Sequence, residues 1–115
     1  MHLRYLCLAA LLAAAPLSWP TLAQEITRDE VPTVMANCER QRESMIAPER
    51  EQAVNRCIDV EELDRRTCEQ RYRDFGERNY GGNPQGVGWD LPVCRRAEGA
   101  QEYFSENPDS NQYAY

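Results

Sequence analysis

The chain has 115 residues, with 19 acidic and 13 basic side chains and a formal net charge of −6. An acidic chain repels both nucleic-acid phosphates and anionic lipid surfaces, so neither kind of partner is expected. The length allows one small domain.

Residues 1–23 have the three parts of a secretory signal peptide. His2 and Arg4 form a short basic start, an apolar run follows over residues 6–15, and a small-residue cleavage pattern precedes Gln24. The apolar run is shorter than the ~20 residues that a membrane-spanning helix needs. We therefore expect cleavage before Gln24, a periplasmic or secreted protein, and no membrane span after cleavage.

The remaining 92 residues are predicted to form one helical domain over residues 24–104, followed by a flexible tail over 105–115. Leu, Ile, Val and Phe supply only 13 of these 92 residues, a fraction typical of chains that do not fold unaided. An even number of cysteines on an exported chain predicts disulfides, which stabilise small domains by ~2–4 kcal/mol each. The four predicted disulfide residues are Cys38, Cys57, Cys68 and Cys94.

The predicted fold class is all-α: a small helical hairpin stapled by disulfides, with a Gly-rich loop and a short C-terminal helix. A first helix is expected from about Pro32 to a turn at Ala47–Pro48, since proline does not fit a helix interior. A second helix is expected from Pro48 to about Glu77, where no Gly or Pro intervenes before Gly76. Asp59 is a possible internal break, because it can cap a new turn.

Residues 79–92 contain four glycines and two prolines, which predicts a loop. Apolar residues at helical spacing then predict a third helix over residues 91–104. The sequence leaves the oligomeric state open.

Four cysteines allow three disulfide pairings, and the sequence does not formally choose among them. A hairpin turn at Ala47–Pro48 would place Cys38 and Cys57 at matched heights on antiparallel helices. Cys57 and Cys68, eleven residues apart, would lie on one face of the second helix. This geometry favours Cys38–Cys57 and Cys68–Cys94.

The part after the signal peptide lacks histidine, the commonest general base and metal ligand. Its cysteines are scattered and form no Cys-x-x-Cys motif, which disfavours a redox centre or a zinc site. We expect no catalytic residue, no metal and no cofactor.

Tyr80 and Trp89 lie in or beside the Gly-rich loop and are the candidate binding residues, since exposed aromatic side chains commonly anchor interfaces. Packing of the loop against the core is the alternative role for these rings. The functional hypothesis is a non-catalytic binding or accessory protein of the cell envelope, whose partner is another envelope protein. An inhibitor of an exported enzyme, acting through residues 79–92, is the second hypothesis, and a redox protein is the weakest.

Overall fold

The structure is a computed structural model that describes residues 25–115. The predicted signal peptide and cleavage site lie outside these residues. The described chain is mostly helical, which confirms the predicted all-α class with two disulfides. Its elements are β1 (Glu25–Thr27), α1 (Val31–Glu61), α2 (Arg65–Arg71), α3 (Pro92–Glu106) and β2 (Gln112–Ala114), with short 3-10 turns at Arg28–Glu30 and Tyr80–Gly82.

Helix α1 runs without interruption through Pro48, so the predicted turn at Ala47–Pro48 is wrong. An interior proline costs roughly 3 kcal/mol relative to alanine. Tertiary contacts hold the helix on both sides of this residue, because Cys38 is bonded to α3 and Cys57 to α2. These flanking anchors offset the local preference of proline.

The chain reverses direction after Glu61, so the single helix predicted over residues 48–77 is also wrong. Glu62 adopts the left-handed conformation, with φ of 55°, which ends α1. Asp64 then caps α2 by accepting hydrogen bonds from the amide of Thr67 at 3.0 Å and from its hydroxyl at 2.6 Å. The break therefore falls a few residues after the predicted candidate at Asp59.

Replacing Asp64 with alanine should weaken the start of α2. Hydrogen bonds from the Thr67 hydroxyl and amide hold the pKa of Asp64 below its ordinary value of 3.8. Because the folded-state pKa is lowered, the contribution of Asp64 to stability is complete above pH 3.8 and is lost as the pH falls through the folded value. Amide exchange at Thr67 should accelerate several-fold in the variant at neutral pH. An unchanged exchange rate would contradict the capping role.

The disulfides join Cys38 to Cys94 and Cys57 to Cys68, so the favoured pairing is wrong. Since α1 is continuous, Cys38 and Cys57 lie on one helix and are separated by about 28 Å along its axis, far beyond disulfide range. Cys57 instead meets Cys68 across the α1–α2 turn, with their Cα atoms 5.9 Å apart. The hairpin does exist, but it is formed by α1 and α2.

Helices α1 and α3 pack antiparallel around two of the three core clusters. Val34 packs against a cluster of Ala100 and Phe104, whereas Cys38 is buried four residues later with Cys94 and Ala97. A third cluster surrounds the Cys57–Cys68 bond. Each disulfide therefore lies inside an apolar cluster and supplies volume that the few large aliphatic residues do not.

The two short strands pair antiparallel and bring the ends of the described chain together, with Glu25 opposite Ala114. Arg28 reinforces this contact because its guanidinium donates to the carbonyls of Asn107 at 3.0 Å and Pro108 at 2.7 Å, just beyond α3. Part of the predicted flexible tail, residues 105–115, is thus paired in the structure rather than free.

Candidate functional site

The Gly-rich segment between α2 and α3 forms a loop that is closed at its base. The amide of Val87 donates to the carbonyl of Gly76 at 2.8 Å. Gly76 has φ of +90°, and a Cβ at this position would lie 2.7 Å from Ile46 of α1. Glycine is therefore required for the loop to approach α1 this closely. We call residues 76–88 the closed loop.

Arg42 of α1 holds the base of the closed loop through hydrogen bonds. Its side chain is 1% exposed. The guanidinium donates to the Val87 carbonyl at 2.9 Å and to the Gly76 carbonyl at 3.3 Å. It also pairs with Glu39 at 2.7 Å and with Glu77 at 3.2 Å. A buried cation with these partners is stabilised by charge-assisted hydrogen bonds and fixes both ends of the loop.

Arg42 is not among the candidate residues predicted from the sequence, since it lies in a run of polar residues, 39–43. Arg42 lies four residues after Cys38 and four before Ile46, and all three side chains are buried. This i, i+4 spacing is the feature of the sequence that could have placed Arg42 on the buried face of the helix. Its loop partners were not visible in the sequence.

No family model, curated protein or solved structure matches the chain.

Trp89, one of the two candidate binding residues, is half-buried and packs against the Cys38–Cys94 cluster. The guanidinium carbon of Arg42 lies 3.8 Å from the centroid of its ring, and that of Arg78 lies 4.2 Å away. Such cation–π contacts stabilise the folded loop. Trp89 therefore has a packing function, and its direct contact with a partner stays a prediction.

Tyr80, the second candidate, lies away from Trp89 in the 3-10 turn of the closed loop. Its ring packs edge-on against Phe75, with the centroids 5.6 Å apart. Burial raises the pKa of the Tyr80 hydroxyl above its ordinary value of 10.0, so this group stays protonated at physiological pH. The rings of Phe75 and Tyr80 line a groove of about 320 Å³ between the loop and α1, which we call the Tyr80 groove.

A second groove, of about 500 Å³, borders Trp89. Arg78 and Glu98 in its lining form an ion pair at 2.7 Å, and Asp90 and Arg95 add one charge of each sign. The charges of this groove therefore balance. The structure does not bring Tyr80 and Trp89 into one groove, because each lines a separate one.

The four cysteines are almost fully buried as disulfides. Buried bridges suit a structural role, since reactive cysteines are usually accessible. In residues 25–115 no group of three or more His, Cys, Asp or Glu side chains is arranged to hold a metal ion. None of the helices described is both long and apolar enough to cross a bilayer.

Proposed function

We propose that the protein is a small non-catalytic binding protein of the cell envelope and that the closed loop with the Tyr80 groove is its binding surface. The observation that carries this proposal is the anchoring of the loop by buried Arg42. A loop held in one conformation loses little entropy on binding, so more of its contact energy appears as affinity. The two disulfides suit an oxidising compartment such as the periplasm.

The exposed tip of the closed loop supports the same function. Residues 81–85 are all exposed and include two glycines, Asn83, Pro84 and Gln85. Tyr80 stands beside this tip, and tyrosine is enriched among residues that dominate interface energetics. An exposed polar tip next to an aromatic ring is typical of protein-binding loops.

Capture of a partner from envelope extract tests the proposal. Oxidised protein spanning residues 24–115 is immobilised in parallel with the variants Tyr80→Ala and Tyr115→Ala. Tyr115 is 59% exposed and lies outside the loop, so it is the matched control. We expect the wild type and Tyr115→Ala to retain the same protein, and Tyr80→Ala to retain about tenfold less, as for the loss of an aromatic anchor.

Circular dichroism and free-thiol titration establish that the variants keep the fold and both disulfides. Equal retention by all three proteins would exclude Tyr80 from the binding surface. No specific retention by the wild type would contradict the binding function itself.

Inhibition of an exported enzyme is the second candidate, and the fixed base of the loop favours it. Inhibitors that present a loop bind tightly when that loop is held in its bound conformation beforehand. In this case the captured partner would be an enzyme, and its activity would fall on addition of the wild type but not of Tyr80→Ala.

A further inference from the structure

The Tyr80 groove combines aromatic walls with carboxylates. Phe75 and Tyr80 meet at an interplanar angle of 62°, and Glu49 and Glu77 also line the groove. None of its lining residues is basic. Aromatic faces and carboxylates both attract cations, so both kinds of lining residue favour a positively charged ligand.

The carboxylate of Glu49 is available for a ligand. It lies on the exposed face of α1 and forms no ion pair with any residue from 25 to 115. Glu77 pairs with Arg42 at 3.2 Å through one oxygen, yet its side chain is still 50% exposed. The groove therefore keeps at least one negative charge that no ion pair within residues 25–115 neutralises.

We propose that the Tyr80 groove receives an arginine or lysine side chain from an extended basic segment of a protein partner. The aliphatic part of that side chain packs against Phe75 and Tyr80, while its cationic end pairs with Glu49 and approaches Glu77. This inference rests on the proposed binding function and adds the chemistry of the partner.

Charge complementarity selects this occupant. The chain has a net charge of −6, which attracts basic segments and repels acidic ones over distances of about a Debye length. An anionic side chain would meet Glu49 and Glu77, and a neutral apolar one would remove water from these carboxylates without replacing their hydrogen bonds. A long side chain with a terminal cation can pack against the aromatic rings of the groove and pair with its carboxylates.

Peptide titration followed by nuclear magnetic resonance tests the inference. Uniformly ¹⁵N-labelled, oxidised protein is titrated with end-blocked Gly-Gly-Arg-Gly-Gly, with its lysine counterpart, and with the citrulline peptide, which has the shape of arginine without its charge. We expect the arginine and lysine peptides to shift the amide signals of Gly76, Tyr80, Gly81 and Val87. The citrulline peptide should leave them nearly unchanged.

Glu49→Gln is the principal variant, because Glu77 also pairs with Arg42 and its loss could disturb the loop. We expect Glu49→Gln to weaken binding of the arginine peptide about three- to fivefold, in line with the loss of an exposed ion pair. Asp59→Asn is the matched control, since Asp59 is also exposed on α1 but lies outside the groove. Its affinity should equal that of the wild type.

Equal response to the arginine and citrulline peptides, or unchanged affinity in Glu49→Gln, would overturn the cationic occupant. The extract experiment separates this result from failure of the binding function. A partner retained equally by the wild type and Glu49→Gln, but lost on Tyr80→Ala, would leave the loop as a binding surface and reject only its preference for a basic side chain.

Discussion

Replacing both Cys38 and Cys94 with alanine is expected to lower the free energy of unfolding by about 4 kcal/mol. The bond closes a loop with a sequence separation of 56 residues, and the entropy of the unfolded chain rises by a corresponding amount when the loop is opened. A loss of this size is comparable with the whole stability of a small domain. Urea unfolding, followed by circular dichroism, measures it.

The matched control is the double replacement of Cys57 and Cys68 with alanine. This bond spans only 11 residues, so the expected loss is about 3 kcal/mol. Both variants exchange two buried sulfur atoms for smaller side chains, and their difference therefore reports mainly on loop length. A larger loss in the Cys57/Cys68 variant would contradict this explanation.

The connectivity itself is checked by peptide mapping. Trypsin separates all four cysteines, since an arginine lies between each consecutive pair. Digestion of unreduced protein at mildly acidic pH, which slows thiol–disulfide exchange, should yield peptide 29–40 linked to 79–95 and peptide 57–65 linked to 67–71. A link between peptides 29–40 and 57–65 would show a different pairing.

Replacing Arg42 with methionine is expected to lower the free energy of unfolding by about 2–4 kcal/mol. Methionine fills similar space but leaves the Val87 carbonyl without its guanidinium donor, and an unsatisfied buried polar group costs about 1–3 kcal/mol. The Gly76 carbonyl loses one of its two donors and keeps the Val87 amide. The amide of Val87, which closes the base of the loop, should then exchange faster with solvent. Urea unfolding and amide hydrogen exchange provide the two measurements.

Arg50→Met is the control for this prediction. Arg50 also lies on α1 and pairs with a glutamate, Glu43, but its side chain is 29% exposed and forms no hydrogen bond or ion pair with residues 76–88. Its replacement should change stability by less than about 1 kcal/mol. Equal losses in the two variants would show that Arg42 does not hold the loop through its buried contacts.

The sequence was sufficient to predict the helical class, the presence of two disulfides, the Gly-rich loop and α3. Helix α3 was predictable because Cys94, Ala97, Ala100 and Phe104 repeat at helical spacing and all four are buried. The spacing of small and apolar residues is a local signal, so it can be read without knowing the tertiary contacts of the helix.

The disulfide pairing was not predictable, because it depended on where α1 ends. Proline is a strong local indicator of a helix boundary, but Pro48 lies within α1, between two cysteines that anchor the helix. Helix α1 in fact ends just before Glu62, where no glycine in the sequence indicates a helix end. Because the predicted turn was misplaced, all four cysteines were assigned the wrong partners.

The candidate site was predictable only as a list of residue types. Tyr80 and Trp89 were chosen because they are aromatic and lie near glycines, but the sequence showed neither that they line separate grooves nor that the loop is held by Arg42. That residue contacts the loop across more than thirty positions of sequence, and such long-range contacts leave no periodic pattern.

The two disulfides are nested, since the Cys57–Cys68 bond lies within the segment that the Cys38–Cys94 bond closes. If the chain is exported from its N-terminus, as the proposed function implies, Cys57 would reach an oxidising compartment before Cys94 does. An oxidase that joins cysteines in order of arrival would link Cys38 to Cys57 and trap a non-native species. Under the proposed function, the native pairing would then require delayed oxidation or a disulfide isomerase, and the yield of correctly bridged protein should fall in cells that lack the isomerase.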